Sequence, residues 1–173
     1  SSIATQSGSN INISIDDIIK NISDDYKLVH RLDKDTSGLL IISKNTNYAK
    51  IFGNLFKKKL IDKTYLAICD GLPSLKESNI KLDIKNKLGK LEHSETFYKL
   101  LHHHNGISLV LFKPLTGKTH QIRIVSKNLT CPIIGDNKYN IQSKYKKEIL
   151  KLNPHVLRFS IFNYHYEFYS NLP

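Results

Sequence analysis

Short apolar runs bounded by turn-forming residues fill most of this chain, and they constrain the fold more than any other feature. The runs that suggest strands cover residues 39–42, 63–69, 80–85, 94–101, 107–113, 155–162 and 164–169. Gly71–Leu72–Pro73 and Asn105–Gly106 are typical turn sequences between such strands. We therefore expect an α/β (α+β) fold, in which helices flank a sheet of mixed, mostly antiparallel strands.

Two amphipathic segments near the N-terminus predict helices. Ser14, with Asp17 three residues later, forms a capping box for a short helix. Asn45 or Thr46 caps a longer helix, whose apolar residues repeat at the spacing of one helical face. Those apolar residues are Tyr48, Ile51, Phe52, Leu55 and Phe56. A charged surface helix is also predicted at 142–152, and residues 119–129 are compatible with a helix.

Length and composition describe one soluble globular domain. The chain has 173 residues, of which 40% are apolar and 24% charged. No apolar run approaches the roughly 18 residues of a membrane span, and no signal-peptide pattern opens the chain. We expect a cytoplasmic protein in which Cys69 and Cys131 are reduced and buried. Because there is no Met, we also expect that a segment preceding residue 1 is missing.

The chain is strongly basic, and the positive charge is uneven. The formal net charge is +11, and residues 41–151 carry all of the excess. A field of this sign attracts polyanions and supplies phosphate contacts, so nucleic acid is the leading partner class. An ordinary lysine-rich surface produced by codon bias is the alternative. Only three residues are Arg, so Arg31 and Arg123 indicate positions where a guanidinium is needed and Lys would not substitute.

Residues 30–38, HRLDKDTSG, place several charged groups beside apolar runs. Charges next to buried strands need partners or a purpose, and a carboxylate held near a guanidinium stays ionised and can act as nucleophile or base. The alternative is a capped turn, in which Asp35 and Thr36 bond local backbone and Gly38 supplies a positive φ. The residues alone favour neither interpretation.

Residues 113–123, KPLTGKTHQIR, form the second unusual segment. Thr116 or Thr119 could cap a helix whose N-terminal amides, with Lys118, would face an anion such as phosphate. On a helix, His120 and Arg123 share a face, while the alternative is a solvated helix start. A third segment, Lys63–Thr64–Tyr65, opens a strand, where a tyrosine is most often part of the core.

Four motifs resemble those of the RluA-type pseudouridine synthase family, in the family's order and at compatible spacing. They are HRLDKDTSGLLIISK at 30–44, KTYLAICDG at 63–71, PLTGKTHQIRI at 114–124 and CPIIGDNKY at 131–139. The resemblance spans residues 26–139, with a weaker match from His155 onward. It implies the family's catalytic fold, with a sheet flanked by helices and a central RNA-binding cleft.

The resemblance implies a cofactor-free and metal-free isomerisation of uridine to pseudouridine in RNA. Asp33 matches the nucleophile, Arg123 the arginine that pairs with it, and Tyr65 the tyrosine that stacks on uracil and takes part in removing the C5 proton. Arg31 matches the residue that enters the RNA stack after the target base flips out. RNA or the loop around the site would be supported by Lys63, Lys118, Thr119, His120 and Gln121. The substrate implied first is 23S ribosomal RNA, ahead of tRNA, with the protein acting as a monomer.

The sequence departs from the family pattern at several positions. Val125 stands where a histidine is usual, Thr130–Cys131 precede Pro132 where the family has Gly-His, and Lys118 replaces an arginine. None of these is the nucleophile, so we expect activity with altered local RNA contacts. We interpret residues 1–173 as a catalytic domain that lacks the family's opening strands and any small N-terminal RNA-binding domain.

Two other functions remain open from the sequence. A metal-free nuclease could use His30 and His120 as acid and base, with Lys118 stabilising the developing charge. A binding module could have kept the motifs without turnover. A metal site at His102–His104 is disfavoured, because neighbouring residues on a strand alternate faces and cannot all reach one ion.

Overall fold

The N-terminal part of the protein carries two helices and a small two-stranded sheet. The computed structural model describes residue 5 and residues 13–145 and 147–171. Its first elements are α1 (Ile15–Ile22), β1 (Lys27–Leu28), β2 (Ile42–Ser43) and α2 (Thr46–Lys57). β1 and β2 pair antiparallel. Among the described residues, no helix has the length and apolar character needed to cross a membrane.

The predicted helix starts are confirmed. The Asp17 amide donates to Ser14 Oγ at 3.2 Å, and the Ser14 amide donates to the Asp17 carboxylate at 2.9 Å, which completes the capping box. Asn45 caps α2, since its side-chain oxygen accepts from the Tyr48 amide at 3.0 Å. The predicted apolar face of α2 turns inward around the buried Phe52, although Tyr48 at its first turn is 43% exposed.

A six-stranded sheet forms the body of the molecule. Its strands are β3 (Asp62–Asp70), β4 (Glu77–Lys85), β5 (Leu91–His104), β6 (Ile107–Pro114), β7 (Leu152–Ile161) and β8 (Tyr164–Tyr169). They lie in the order β4-β5-β6-β3-β7-β8, and every neighbouring pair is antiparallel. The sheet predicted as mixed and mostly antiparallel is therefore antiparallel throughout. A third helix, α3 (Gln121–Asn128), follows β6.

Two hydrophobic clusters lie against one face of the sheet. On β3, Tyr65, Ala67 and Cys69 point to the same side because alternate strand residues share a face. Ala67 and Cys69 belong to a cluster that includes Ile122 and Val125 of α3. A second cluster contains Ile61, just before β3, together with Phe52 of α2 and Leu157 and Phe159 of β7. The space between α2 and α3 is thus left open above the centre of β3.

The strand predicted at 39–42 is wrong, apart from Ile42 in β2. The Leu39 amide donates to the Pro154 carbonyl at 3.2 Å, and the Ile41 amide donates to His30 Nε2 at 2.8 Å. One of these amides bonds a carbonyl and the other bonds a side chain, so the segment does not form the repeated backbone hydrogen bonds of a strand pair. The apolar side chains of Leu39 and Ile41 still pack against the second cluster.

The helix predicted at 142–152 is also wrong, with residue 146 outside the described residues. The segment consists of turns that lead into β7. Ser143 Oγ donates to Asp70 at 3.2 Å and accepts from the Tyr145 amide at 3.0 Å, which builds a local turn instead of a helix. Farther on, the Lys151 amide donates to the Ile134 carbonyl and Leu150 enters the first cluster, so tertiary contacts fix the extended path.

Candidate active site

A cleft of about 1000 Å³ opens between the two hydrophobic clusters, above the centre of the sheet. Its walls come from the loop before β2, from the end of α2 and start of β3, and from the loop between β6 and α3. All of the predicted site residues line this one cleft. They are Arg31, Asp33, Lys63, Tyr65, Lys118, Thr119, His120, Gln121 and Arg123.

Asp33 lies in a tight turn at the cleft wall. The Thr36 amide donates to the Asp33 carbonyl at 2.9 Å, and Gly38 adopts a φ of +121° against Pro154. Of the turn features weighed against a functional role, the tight turn and the positive φ of Gly38 are present, but the buried Thr36 Oγ1 has no hydrogen-bond partner among the described residues. The same turn presents the Asp33 carboxylate to the cleft. That carboxylate is 18% exposed and faces two cationic or basic groups from the third motif. The turn that was considered as an alternative is therefore the same segment that places Asp33 in the cleft.

Arg123 and His120 both face the Asp33 carboxylate. Arg123 Nη1 lies 3.6 Å from Asp33 Oδ2, and His120 Nε2 lies 3.9 Å from Oδ1. These separations are long for hydrogen bonds and short for charge interactions. The guanidinium therefore places a positive charge beside Asp33 while leaving the carboxylate oxygens accessible from the cleft.

Asp136 holds the guanidinium of Arg123 from the other side. Arg123 Nε and Nη2 donate to its two carboxylate oxygens at 2.7 and 2.8 Å, and the Asp136 residue is 2% exposed. Burial opposes both charges, but the hydrogen bonds and the opposite charge outweigh it, so the pKa of Arg123 is raised and that of Asp136 is lowered. The amides of Lys138 and Tyr139 also donate to Asp136, both at 3.0 Å.

Sequence reasoning missed Asp136 as a site residue. The residue lies in the quoted motif CPIIGDNKY, and no role was attached to it there. Its signal was available, because a rare buried Arg needs a carboxylate partner and the motif contains a single Asp between apolar residues and Tyr139. The prediction paired Arg123 with Asp33 alone, whereas the tight bidentate pair is with Asp136.

His120 is fixed by its backbone and by Tyr139. It occupies the N-cap of α3 with a φ of +55°, and no side chain caps the helix, so the predicted cap by Thr116 or Thr119 is wrong. His120 Nδ1 lies 3.0 Å from the Tyr139 hydroxyl, and the Tyr139 ring also lies 5.2 Å from the guanidinium carbon of Arg123. Burial is the main cause that lowers the pKa of His120, which keeps the imidazole neutral at physiological pH.

Tyr65 lies on β3 at the floor of the cleft. The strand places it opposite Phe112 of β6 and Pro154 of β7. Burial, followed by the negative charge of Asp33, raises the pKa of Tyr65 to about 12. The phenol is therefore protonated at neutral pH, with its ring near the first cluster. Tyr65 packs against the core, as is usual for a tyrosine on a strand, and it also lines the cleft.

The cationic residues of the cleft differ in how far they are already paired. Lys118 Nζ lies 3.0 Å from the Glu92 carboxylate, beside the turn of the β4–β5 hairpin. Lys63 is half-buried, and burial lowers its pKa. Arg31 is exposed and forms no ion pair within the part of the chain that the structure describes. Arg31 is thus the guanidinium most available to an incoming anion.

Gln121 organises the loop that carries these residues. It is 4% exposed, and its side-chain oxygen accepts from Thr116 Oγ1 at 2.8 Å and from the Lys118 amide at 2.9 Å. Its nitrogen donates to the Glu95 carbonyl and to Thr96 Oγ1 at 3.0 and 2.9 Å. The amide is fully used within the protein, so Gln121 supports the loop around the site. Thr119, by contrast, is exposed on that loop.

The histidine arrangement does not suit the nuclease alternative. His30 Nε2 accepts from the Ile41 amide, and the ring packs against Phe56 at 4.9 Å between ring centroids. Burial, followed by the charge of Lys63, lowers the pKa of His30 to about 4, so this imidazole is neutral and structurally engaged. His102–His104 lie at the outer end of β5, and the described residues contain no cluster that could hold a metal ion.

The fold of this chain is that of known pseudouridylate synthase domains. The human RNA pseudouridylate synthase domain containing 4 superposes with a TM-score of 0.85 at 23% identity, covering 99% of this chain and 82% of that one. The human RNA pseudouridylate synthase domain containing 1 superposes with a TM-score of 0.80 at 24% identity, covering 97% of this chain and 78% of that one. At these identities the likeness establishes the fold.

Sequence comparison then gives the family: this chain belongs to the RNA pseudouridylate synthase family, whose model matches residues 14–128. A "Ribosomal large subunit pseudouridine synthase C" of Rickettsia bellii is 39% identical over 99% of this chain and 63% of the relative. The protein of that name from Rickettsia typhi is 44% identical over 80% of this chain and 50% of the relative. A "Ribosomal large subunit pseudouridine synthase D" of Borreliella burgdorferi is 35% identical over 78% of this chain and 44% of the relative. The chain spans less than two thirds of these relatives.

Proposed function

We propose that this protein isomerises uridine to pseudouridine in RNA, with 23S ribosomal RNA as its substrate. The observation that carries the proposal is the Asp33 carboxylate, held in an open cleft 3.6 Å from the Arg123 guanidinium. Membership of the pseudouridylate synthase family supports the reaction. The similarity to ribosomal large subunit pseudouridine synthases supports 23S ribosomal RNA as the substrate, ahead of tRNA.

The reaction exchanges one glycosidic bond for another. The bond from ribose C1′ to uracil N1 breaks, the uracil rotates, and a bond from C1′ to C5 forms. The proton on C5 is lost and N1 gains one, so reactant and product contain the same atoms and no oxidant, reductant or group donor is required. Asp33 acts either by attack at C1′ or by assisting glycal formation, and both routes need it ionised.

The surrounding residues assist Asp33 in different ways. Arg123 supplies a fixed positive charge beside Asp33, and this charge needs no reorganisation during the reaction. Tyr65 offers a ring for stacking on the rotated uracil. Because its pKa is raised to about 12, its hydroxyl can accept the C5 proton only if it passes on its own proton in the same step.

RNA must be opened before the cleft can act, because neither N1 nor C5 is accessible for bond exchange inside a helix. Arg31 lies exposed at the cleft and is placed to fill the space that the flipped nucleotide leaves in the stack. Lys63 lies deeper in the cleft, and Thr119 lies on its exposed rim. Arg31, Lys63 and Thr119 thus offer one half-buried and two exposed contacts to the extruded nucleotide and its backbone.

The proposal is tested by comparing the parent protein with Asp33→Asn on a 23S ribosomal RNA transcript. Pseudouridine is mapped as carbodiimide-dependent stops in primer extension. Asp35→Asn is the matched control, because Asp35 is an exposed carboxylate in the same turn. We expect stops with the parent and with Asp35→Asn and none with Asp33→Asn.

Other outcomes identify the alternatives. Stops on a tRNA transcript alone would change the substrate and keep the reaction. RNA cleavage that persists in Asp33→Asn would support a nuclease. Binding of the transcript with neither product would show a module without turnover and overturn the proposed reaction.

A further inference from the structure

Three aromatic rings stack at the outer edge of the sheet, away from the catalytic cleft. Phe159 of β7 lies 5.4 Å from Tyr166 and 5.9 Å from Phe168 of β8, measured between ring centroids. The rings of Tyr166 and Phe168 are parallel to within 1° at 6.5 Å. We call Phe159, Tyr166 and Phe168 the edge platform. Its base is anchored, since Phe52 of α2 packs edge-on against Phe159 at 5.2 Å.

The outer part of the edge platform is open to solvent. Tyr166 and Phe168 are 40% and 48% exposed, and Tyr164, two residues before Tyr166 on the same strand face, is 70% exposed. β8 is the last strand of the sheet, so its outer side has no strand partner among the described residues. A contiguous exposed aromatic stripe on an edge strand is unusual in a soluble protein and marks a binding surface.

The catalytic cleft continues toward the edge platform. Leu60 lines the cleft and also a second cavity of about 380 Å³, which Phe159 and Tyr166 help to form. Lys57 and Lys59, just before Leu60, line the cleft as well. Both lysines are exposed, and neither forms an ion pair within the described ranges.

The second cavity itself is close to electrically neutral. Both Arg158 and Glu167 line this cavity, and Arg158 Nε donates to the Glu167 carboxylate at 2.6 Å. His165 completes the polar wall, with Nδ1 2.7 Å from Ser160 Oγ. Attraction of a ligand to this part of the surface therefore depends on ring stacking, while the free positive charge lies toward the cleft at Lys57 and Lys59.

We propose that the edge platform stacks the bases of single-stranded RNA that flanks the target nucleotide, while Lys57 and Lys59 contact the intervening phosphates. The proposal rests on the proposed function, because it extends the path of the same RNA beyond the cleft. Exposed parallel rings beside unpaired cations suit a flexible polyanion whose units each carry a flat ring. Stacking of this kind tolerates any base, so the platform contributes affinity and not the choice of uridine.

A single tryptophan provides a direct test. The chain contains no Trp, so Tyr166→Trp creates a fluorophore that reports on this position alone. The probe is a twelve-nucleotide uridine-rich RNA, and the control is Leu72→Trp, since Leu72 is 49% exposed beyond the opposite end of β3. Single-stranded RNA should quench Tyr166→Trp and leave Leu72→Trp unchanged, and a duplex should quench neither.

Two results would overturn the platform. One is quenching that is absent from Tyr166→Trp or equal in both proteins. The other is an emission change that follows protein concentration without RNA, because it would show that the platform contacts a second copy of the chain.

A second variant connects the platform to turnover. Tyr166→Thr combined with Phe168→Thr removes both exposed rings and keeps residues that favour strands. With an RNA that carries a single-stranded flank, we expect about a tenfold rise in KM and kcat within twofold of the parent. A minimal stem-loop without the flank should show no change. An unchanged KM for the flanked RNA would contradict the proposal.

Asp33→Asn separates the two hypotheses. If it abolishes conversion while the Tyr166→Trp reporter, placed in the same Asp33→Asn protein, is still quenched, both hypotheses stand. If the parent converts no RNA and quenching persists, the proposed function fails and the platform remains a single-strand binding surface. If conversion persists without quenching in Tyr166→Trp, the platform alone fails.

Discussion

At the scale of single residues, Arg123 is shared unequally between two carboxylates. Asp136 takes the two nitrogens that define a bidentate pair, at 2.7 and 2.8 Å, and Asp33 meets only Nη1 at 3.6 Å. A bidentate pair fixes the plane of the guanidinium as well as its position. Asp136 therefore fixes the orientation of the positive charge within the protein. Among the described residues, the carboxylate of Asp33, the proposed nucleophile, accepts no direct hydrogen bond from a side chain.

Replacement of Asp136 should affect both catalysis and stability. Asp136→Asn keeps the shape but cannot accept two bonds from the guanidinium, so Arg123 loses its fixed orientation and its buried counter-charge. We expect conversion to fall by about tenfold to a hundredfold and the free energy of unfolding to fall by about 3 kcal/mol. Single-turnover conversion and urea unfolding measure the two effects.

The matched control for this change is Asp70→Asn. Asp70 is also partly buried, and its carboxylate accepts a side-chain hydrogen bond from Ser143 at 3.2 Å, at the end of β3 away from the cleft. Its conversion rate should equal that of the parent. A folded Asp136→Asn protein that converts RNA at the parent rate would show that Arg123 needs no second carboxylate.

Gly38 and Gly53 offer a second matched pair. A Cβ at Gly38 would lie 2.7 Å from the Pro154 carbonyl oxygen at a φ of +121°, whereas a Cβ at Gly53 of α2 meets nothing within 4 Å. We expect Gly38→Ala to lower the free energy of unfolding by about 2 kcal/mol or more and Gly53→Ala to raise it by about 0.5–1 kcal/mol. Urea unfolding of both variants checks the opposite signs, and equal effects would contradict the strain at Gly38.

At the scale of elements, the Asp33 loop depends on a neutral histidine. His30 Nε2 accepts from the Ile41 amide and so ties the two ends of the loop together. Its pKa of about 4 in the folded protein lies below the usual 6.5, so the unfolded chain binds a proton at higher pH than the folded one. Stability from this residue is complete above pH 6.5 and is lost as the pH falls toward 4.

The free energy of unfolding should therefore drop between pH 7 and pH 5, with His30 accounting for about 2 kcal/mol of the drop. His30→Gln should remove this share of the pH dependence, because its side chain does not titrate and can still accept the Ile41 amide. The control, His104→Gln, removes an exposed imidazole at the end of β5 and should keep the full dependence. Urea unfolding at the two pH values measures both, and identical pH slopes for the two variants would contradict the assignment.

Elements with a strong local pattern could be predicted from the sequence. The strands later found as β3 to β8, and the caps at Ser14 and Asn45, follow from alternation, turn residues and side-chain bonds within three residues. Residues 142–152 have helical composition, yet bonds to Asp70 and Ile134 hold them in turns. Such contacts join residues more than ten positions apart, and no local pattern reports them.

The candidate site shows the same division. The motifs indicated which residues face the cleft, and all of the predicted ones do. They did not indicate how the side chains are paired, since Lys118 binds Glu92 and Gln121 binds groups of β5 that the motifs do not contain. Asp136 was missed for a related reason. Its partner, Arg123, lies thirteen positions away in another motif, and the fold brings the two side chains together.

At the scale of the whole molecule, the lysines fall into two groups: some on the sheet form ion pairs, and some beside the cleft do not. The net charge is +11, and some lysines on the sheet are already paired, as Lys99 is with Glu77 at 3.1 Å and Lys81 with Glu95 at 4.0 Å. Lys57 and Lys59 beside the cleft have no such partner among the described residues. Unpaired cations near the site should contribute most to binding RNA.

The salt dependence of RNA affinity distinguishes the two sets. Each phosphate that a cation neutralises adds about 0.7 to the slope of log affinity against log salt for a single strand. The double variant Lys57→Gln, Lys59→Gln should therefore lower the slope by about 1.4. Lys81→Gln combined with Lys99→Gln lowers the net charge equally and should leave the slope unchanged. Fluorescence anisotropy of a labelled RNA between 50 and 200 mM salt measures both, and equal losses would mean that net charge, and not the position of the lysines, governs binding.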